Sequence, residues 1–330
     1  MNFATLPKVE LHLHLDCSLS YDVVQKLNPT ISYEDYKTSF VAPPKCTDLG
    51  DYISRAVNGI ALMQSAEELR MVTLDLFGQL KRDNVIYAEI RFAPLLHTQK
   101  GLSAEEVVHV VNNATEEGMQ QTGVEARLIL CTLRHYTESQ SMETVQLVER
   151  FKGSRVAGFD IAADEAGFPI DNHVAAFRYA KEKGIACTAH AGEAKGAESV
   201  WETLENFGPS RIGHGVRSVE DIRLLGYLKQ AGIHLEVCPT SNIQVNVCDR
   251  IDDHPADRLF KYGVSMSINT DARTISDVTL TSEYETMTNV FGWQKAHFLK
   301  CNLEAIKHAF VDEETKQKLQ QKLRDAYATK

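Results

Sequence analysis

The tract Glu10-Leu11-His12-Leu13-His14-Leu15-Asp16 alternates ionisable and apolar residues. In an extended strand, side chains two apart share a face, which predicts Glu10, His12, His14 and Asp16 on one side and the leucines on the other. Four ionisable groups on one strand face are costly to bury unless something binds them, and a metal ion is the simplest partner. Two later stretches repeat the pattern. Ala186, Thr188 and His190 share a face, as do Ser265, Ser267, Asn269 and Asp271, with Met266 and Ile268 opposite. His12, His14, His190 and Asp271 offer three imidazoles and a carboxylate, a set suited to one Zn²⁺ per chain with room for a water; nickel, cobalt or iron(II) would accept the same donors. Glu193 follows His190 by three residues across a glycine, where a carboxyl beside an activated water is a natural proton shuttle. His214 stands between Gly213 and Gly215, which suits a side chain held at a crowded rim. The structural alternatives are a satisfied His-x-His pair, a helix-capping Glu193 and a packing His214.

These residues need a scaffold that gathers them. Short β-rich runs recur at 9–15, 85–92, 125–133, 156–163, 185–191, 211–213, 234–239 and 264–270. Segments of helical character lie between them at 104–121, 142–152, 172–183, 197–207, 219–230 and 255–261. Eight strand–helix alternations predict an α/β fold, a (β/α)8 TIM-type barrel forming one domain over 1–330. His190, His214 and Asp271 then fall at the C-terminal ends of strands five, six and eight, the face where such barrels place their chemistry. A stretch of about seventy residues between the first two strands, roughly 17–84, is longer than a βα unit needs and reads as a partly helical insertion forming a lid, with Tyr33, Tyr36, Phe40, Tyr52 and Ile53. The tail, 280–327, is predicted to be helical, with Leu319, Leu323 and Tyr327 on one apolar stripe that packs on the core.

Composition narrows the partners. Lys and Arg number 35 against 45 Asp and Glu, a net charge of −10, so no diffuse positive field exists to hold nucleic acid or anionic lipid. A small neutral or cationic molecule is the expected partner. No window approaches a membrane span, the start has no signal-peptide pattern, and seven dispersed cysteines argue for free thiols, all of which predicts a cytoplasmic protein. Oligomeric state is not legible.

The ordered blocks Pro7-Lys8-Val9-Glu10-Leu11-His12-Leu13-His14-Leu15-Asp16, Tyr87-Ala88-Glu89-Ile90-Arg91-Phe92-Ala93-Pro94, His190-Ala191-Gly192-Glu193, Arg211-Ile212-Gly213-His214-Gly215, Cys238-Pro239-Thr240-Ser241-Asn242 and Ser267-Ile268-Asn269-Thr270-Asp271 resemble the adenosine deaminases of the metal-dependent amidohydrolase superfamily. That resemblance covers nearly the whole chain. It implies a purine-salvage hydrolase acting on a small-molecule purine nucleoside, converting adenosine and 2′-deoxyadenosine to inosine-type products and ammonia. It also implies His12, His14, His190 and Asp271 as zinc ligands and Glu193 as proton donor to purine N1. His214 would orient and help activate the attacking hydroxide, with Asp271 also in the catalytic set. Asp16 would meet the ribose 5′-hydroxyl and the Ala163 N–H purine N3, with His14 lining the nucleoside site. Three positions depart from the family pattern. Cys17 and Ala163 stand where glycine is usual, and Ala272 stands where many members carry an aspartate that bonds purine N7. Arg273, Asn242 or a water is expected to replace that contact. Other 6-aminopurines (adenine, a 5′-modified adenosine, N6-methyl-AMP or aminodeoxyfutalosine) are the neighbouring substrates. A two-metal hydrolase would need a bridging group, often a lysine, where the chain has Ala163-Asp164-Glu165, and a non-catalytic binding protein on the same fold is the alternative from another class.

Overall fold

The computed structural model describes residues 2–328. Eight parallel strands run in sequence order around one sheet: β1 (Lys8–His14), β2 (Val85–Phe92), β3 (Glu125–Leu133), β4 (Val156–Ala162), β5 (Ala186–Ala191), β6 (Arg211–His214), β7 (His234–Val237) and β8 (Met266–Ile268). The segment between β1 and β2 holds α1 (Tyr21–Leu27), α2 (Tyr33–Phe40), α3 (Leu49–Ser54), α4 (Ala56–Ala61) and α5 (Ala66–Arg82). The crossovers that follow carry α6 (Ala104–Thr122), α7 (Glu138–Arg150), α8 (Val174–Glu182), α9 (Ala197–Phe207), α10 (Ile222–Ala231), α11 (Pro239–Gln244) and α12 (Ala256–Tyr262). The chain ends in α13 (Leu280–Phe291), α14 (Lys295–His308) and α15 (Glu313–Ala328). This is the expected (β/α)8 barrel.

Local sequence explains the boundaries. Capping boxes at Ser65/Glu68, Ser103/Glu106 and Thr137/Gln140 start α5, α6 and α7, and left-handed glycines Gly123, Gly208 and Gly232 end α6, α9 and α10. The apolar faces of these helices, such as Leu69, Val72, Leu76, Phe77 and Leu80 of α5, are buried in the main core. Leu319, Leu323 and Tyr327 of α15 are buried as their spacing predicts, and the Tyr327 hydroxyl donates to Pro7 O at 3.2 Å. All seven cysteines are free. Among the described residues no helix is long and apolar enough to cross a membrane.

The last strands are shorter than the sequence suggests. β7 stops at Val237 because Pro239 opens α11, and β8 stops at Ile268 because the next residues close the barrel instead. One isolated bridge, Leu13 to Asp271, joins the first strand to the end of the last, with His14 N–H on Asp271 O at 2.8 Å and Asp271 N–H on His12 O at 3.0 Å. Below it a side chain substitutes for the ladder: Asn269 Oδ1 accepts both Leu11 N–H (2.8 Å) and His12 N–H (3.2 Å).

Two successive N–H groups on one acceptor mark a bulge, and the β1–β2 register slips there, Glu10 pairing with Ala88 but Leu13 with Ile90. The bulge corrects one expectation. Glu10 does not share the face of His12 and His14, because the extra residue reverses the alternation. Its carboxylate instead bonds Thr270 N–H at 3.1 Å and Arg273 at 2.6 Å.

In the first turn of α13, the fully buried Glu283 accepts from Thr240 N–H at 3.1 Å, and its second oxygen has no hydrogen-bond partner among the described residues. Burial pushes this carboxyl from its ordinary 4.5 up to about 8. The folded chain therefore keeps it protonated while the unfolded chain ionises it, so its contribution to stability declines as pH rises from about 4.5 to 8. Glu283→Gln removes that dependence. In urea titrations the variant is expected to gain on the parent protein between pH 5 and pH 8, by up to several kcal/mol at roughly 1.4 kcal/mol per pKa unit. A stability difference that is flat across that range would contradict the assignment.

Candidate metal centre and active site

A charged ladder rather than branched aliphatics occupies the barrel interior. Glu89, Arg91, Asp160, Arg211 and Glu236 are all fully buried. Arg91 bridges Asp160 and Glu236, each at 2.7 Å, and Arg211 bridges Glu89 at 2.6 Å and Glu236 at 2.8 Å. The carboxylates at the top of this ladder hold imidazoles. His12 Nδ1 lies 2.8 Å from Glu236 Oε2, and His190 Nδ1 lies 3.2 Å from Asp160 Oδ1. Each Nδ1 thus faces a carboxylate, which turns Nε2 to the barrel mouth. Burial works against a charged His12 ring, yet hydrogen bonds to Asp271 and Glu236 hold its pKa above the ordinary histidine value.

There the donors converge. His12 Nε2 is buried with no hydrogen-bond partner among the described residues and stands 3.2 Å from Asp271 Oδ1. His14 Nε2 stands 3.4 Å from the same oxygen and 3.3 Å from His190 Nε2. One atom each from His12, His190, His214 and Asp271 fall within 4.8 Å of one another. Burial holds His14 down to about 3, and it also keeps His190 and His214 below the ordinary histidine value, so these rings stay neutral. Asp271 Oδ2 is steadied by Ser241 Oγ at 2.7 Å. An orphaned imidazole nitrogen facing a carboxylate and two further neutral imidazoles fits a divalent ion. Gly213 makes the room, since a Cβ there would lie 2.9 Å from His12 Cε1.

Beside this group Glu193 is buried, and its Oε1 stands 3.5 Å from His214 Nε2. Burial, then the charges of Asp271 and Glu165, push its carboxyl well above the ordinary range, which favours its protonated form. Its loop is built around Glu165. That carboxylate accepts Gly192 N–H (2.8 Å), Glu193 N–H (3.0 Å), Ala194 N–H (2.6 Å), Lys195 N–H (3.0 Å) and Ser199 Oγ (2.6 Å). Gly192 sits at φ +68° to make the turn.

A cavity of about 300 Å³ opens from the donor group. His14, Asp16, Cys17, Ala163, Glu193, His214, Asp271 and Ala272 line it, with Leu49, Tyr52, Ile53, Ala56 and Ile60 from α3 and α4 above. The part of the insertion that covers the mouth is therefore α3–α4, anchored by the Tyr52 hydroxyl 2.7 Å from Ser276 Oγ, while α5 serves as the crossover to β2. Asp16 lines the same cavity. His97, 3.8 Å away, holds its carboxyl below the ordinary value against the effect of burial, so the wall there is anionic.

Arg273, expected to face the purine, does not enter the cavity. Its guanidinium is held by Glu10 at 2.6 Å and Asp83 at 3.1 Å, because two buried carboxylates behind the bulge compensate its charge. Asn242, its expected substitute, is also engaged elsewhere, 3.1 Å from His214 Nδ1 and 3.2 Å from His254 Nε2. Glu236, Asp160, Arg91, Glu165 and His254 went unnoticed in the sequence. Asp160 and Glu236 had a legible signal, each being the single carboxylate of its strand, and Arg91 follows Glu89 by two in an otherwise apolar one; Glu165 and His254 sit in loops and had none.

Ala163, His214 and Asp271 have φ of +78°, +60° and +65°. For a residue bearing a Cβ this conformation is strained by roughly 1–2 kcal/mol. Ala163→Gly is therefore expected to stabilise the fold by about 0.5–1 kcal/mol in denaturant titrations, despite the greater freedom of glycine in the unfolded chain. A less stable variant would mean that Ala163 is not strained.

The sequence profile of the adenosine deaminase family matches residues 7–326. An adenosine deaminase of Clostridium acetobutylicum is 35% identical over 325 residues, covering 96% of this chain and 97% of that protein. Among solved structures, an adenine deaminase from Arthrobacter aurescens superposes with a TM-score of 0.89 at 24% identity, over 97% of this chain and 98% of the other. A zinc-bound amidohydrolase from Burkholderia ambifaria superposes with a TM-score of 0.88 at 23% identity, over 98% and 91% of the two chains. Those two share the fold; the sequence profile and the clostridial relative go further, and by them this chain belongs to the adenosine deaminase family.

Proposed function

We propose that the protein hydrolyses adenosine, and 2′-deoxyadenosine, to the 6-oxo nucleoside and ammonia. The observation that carries this reading is one cavity lined by His14, His190, His214 and Asp271, by Glu193, whose protonated form burial favours, and by Asp16, whose ionised form His97 favours. His12, His14, His190 and Asp271 are the residues we assign to one divalent ion per chain. Bound there, Zn²⁺ supplies Lewis acidity that makes a water nucleophilic near neutral pH.

The chain's own residues do the rest. Glu193 gives its proton to purine N1 as the water oxygen adds to C6, so the ring does not carry the developing negative charge alone. Asp271, fixed by Ser241, takes up a proton from the adding water, and His214 stands beside Glu193 where that oxygen forms. The proton held by Asp271 then passes to the 6-amino group as the new C6 hydroxyl returns a proton to Glu193, so that ammonia leaves and the 6-oxo product forms with both carboxyls restored. The Ala163 N–H is assigned to purine N3, and Asp16 to the ribose 5′-hydroxyl. An ionised Asp16 repels a 5′-phosphate, which favours a nucleoside over a nucleotide. Side chains of α3 and α4 keep bulk water from the reacting atoms.

Two measurements test the reading. Ultraviolet monitoring of a 6-aminopurine panel is expected to rank adenosine first, alongside one metal per chain by elemental analysis; adenine turning over far faster than adenosine would refute the substrate. Glu193→Gln is expected to lower kcat on the order of 10²–10⁴-fold with metal content unchanged, and an unaltered rate would remove Glu193 from its role.

Ala272 cannot reach N7 with a hydrogen bond, and both Arg273 and Asn242 are committed to other partners. On the slow Glu193→Gln variant, calorimetry should find adenosine and its 7-deaza analogue binding within roughly threefold of each other. A loss of tenfold or more, the equivalent of about 1.4 kcal/mol, would reveal a contact to N7.

A further inference from the structure

His214 differs from the other two imidazoles deep in the site. His12 and His190 turn Nδ1 to carboxylates, but His214 turns Nδ1 to the amide of Asn242 at 3.1 Å. That amide is itself oriented from behind. Asn242 Oδ1 lies 3.2 Å from His254 Nε2, and His254 Nδ1 lies 3.1 Å from the backbone N–H of Ala256. All three side chains are buried, and neither Asn242 nor His254 lines the cavity.

The donors in this row follow from its root. A backbone N–H can only donate, so His254 Nδ1 accepts and, in the neutral ring, Nε2 carries the proton. That N–H can meet only the carbonyl oxygen of Asn242, which turns the NH₂ toward His214. His214 Nδ1 must then accept, which leaves its own proton on Nε2, the atom 3.5 Å from Glu193. Burial holds His254 down to about 3, in agreement with a neutral ring.

We propose that His254 and Asn242 form a relay that fixes the His214 proton on Nε2 and so makes that imidazole a hydrogen-bond donor in the cavity. His214 in this tautomer has no lone pair on Nε2 for a metal or for a proton. It serves as a fixed donor to the oxygen that adds at C6, with charge on that oxygen stabilised by a dipole already in place. His254 and Asn242 are positioning residues, because they act on the reaction only through His214. The role of His214 toward the substrate rests on the deaminase reading above; the position of its proton does not.

Nitrogen-15 spectra of the zinc-loaded protein, labelled at histidine and assigned by the signal lost in His214→Asn, test the relay directly. The unaltered protein is expected to show His214 with a protonated Nε2 and a bare Nδ1; a protonated Nδ1 would overturn the proposal without any variant. Asn242→Asp reverses the demand by placing an acceptor at Nδ1. It is expected to move a proton onto Nδ1 and lower kcat on the order of 10²–10⁴-fold, with the adenosine KM within roughly threefold and zinc content unchanged. His254→Gln, which keeps a donor for Asn242, is expected to retain kcat within about tenfold. An Asn242→Asp enzyme with undiminished kcat would refute the relay, whereas an unaltered enzyme inert toward adenosine would refute the substrate and leave the spectral result standing.

Discussion

The site depends on the Arg91 guanidinium, fully buried and shared between Asp160 and Glu236. Those carboxylates orient His190 and His12, yet neither would stay ionised in a dry interior without a compensating cation. Removing the arginine would leave two like charges to repel one another behind the imidazoles. Three carboxylates, Glu89, Asp160 and Glu236, face two guanidiniums, Arg91 and Arg211, so the ladder retains one negative charge, and Asp271 adds another at its top. That excess matches a divalent cation. The barrel interior is thus an electrostatic support for the mouth, and the imidazoles are oriented by groups that never meet the substrate.

The rim above the ladder is organised by backbone geometry. His214 and Asp271 reach the cavity from left-handed conformations just where β6 and the end of β8 turn outward, and Ala163 does the same after β4. Glu165 gathers four consecutive N–H groups of the Glu193 loop, a concave arrangement of donors that elsewhere binds anions and here is filled by the chain's own carboxylate. Strain at some positions and a dense hydrogen-bond cage at another have the same effect. Both fix where reactive side chains point before a substrate arrives.

Much of this was legible in the amino acids. Alternating β-rich and helical segments gave the barrel, and the period of two along the first, fifth and eighth strands brought His12, His14, His190 and Asp271 to one end. The failures have physical causes. Glu10 was misplaced because a bulge is a one-residue event set by Asn269, more than 250 positions away, and no local pattern announces it. Arg273 was drawn toward the purine because a charge next to Asp271 is conspicuous in sequence, whereas its partners Glu10 and Asp83 become visible only once the strands are in place. Glu236 and Asp160 could have been found by asking what a lone carboxylate does inside an apolar strand.

The first and last strands meet through a single backbone bridge, supplemented by the side chains of Asn269 and Glu10, while His12 on one edge and Asp271 on the other point at the same spot. An ion gripped by both is a clasp across the weakest join in the cylinder. Loading it and fastening the ends of the sheet are then one thermodynamic event, so the empty protein is the looser of the two forms at the edge where the chemistry is assembled.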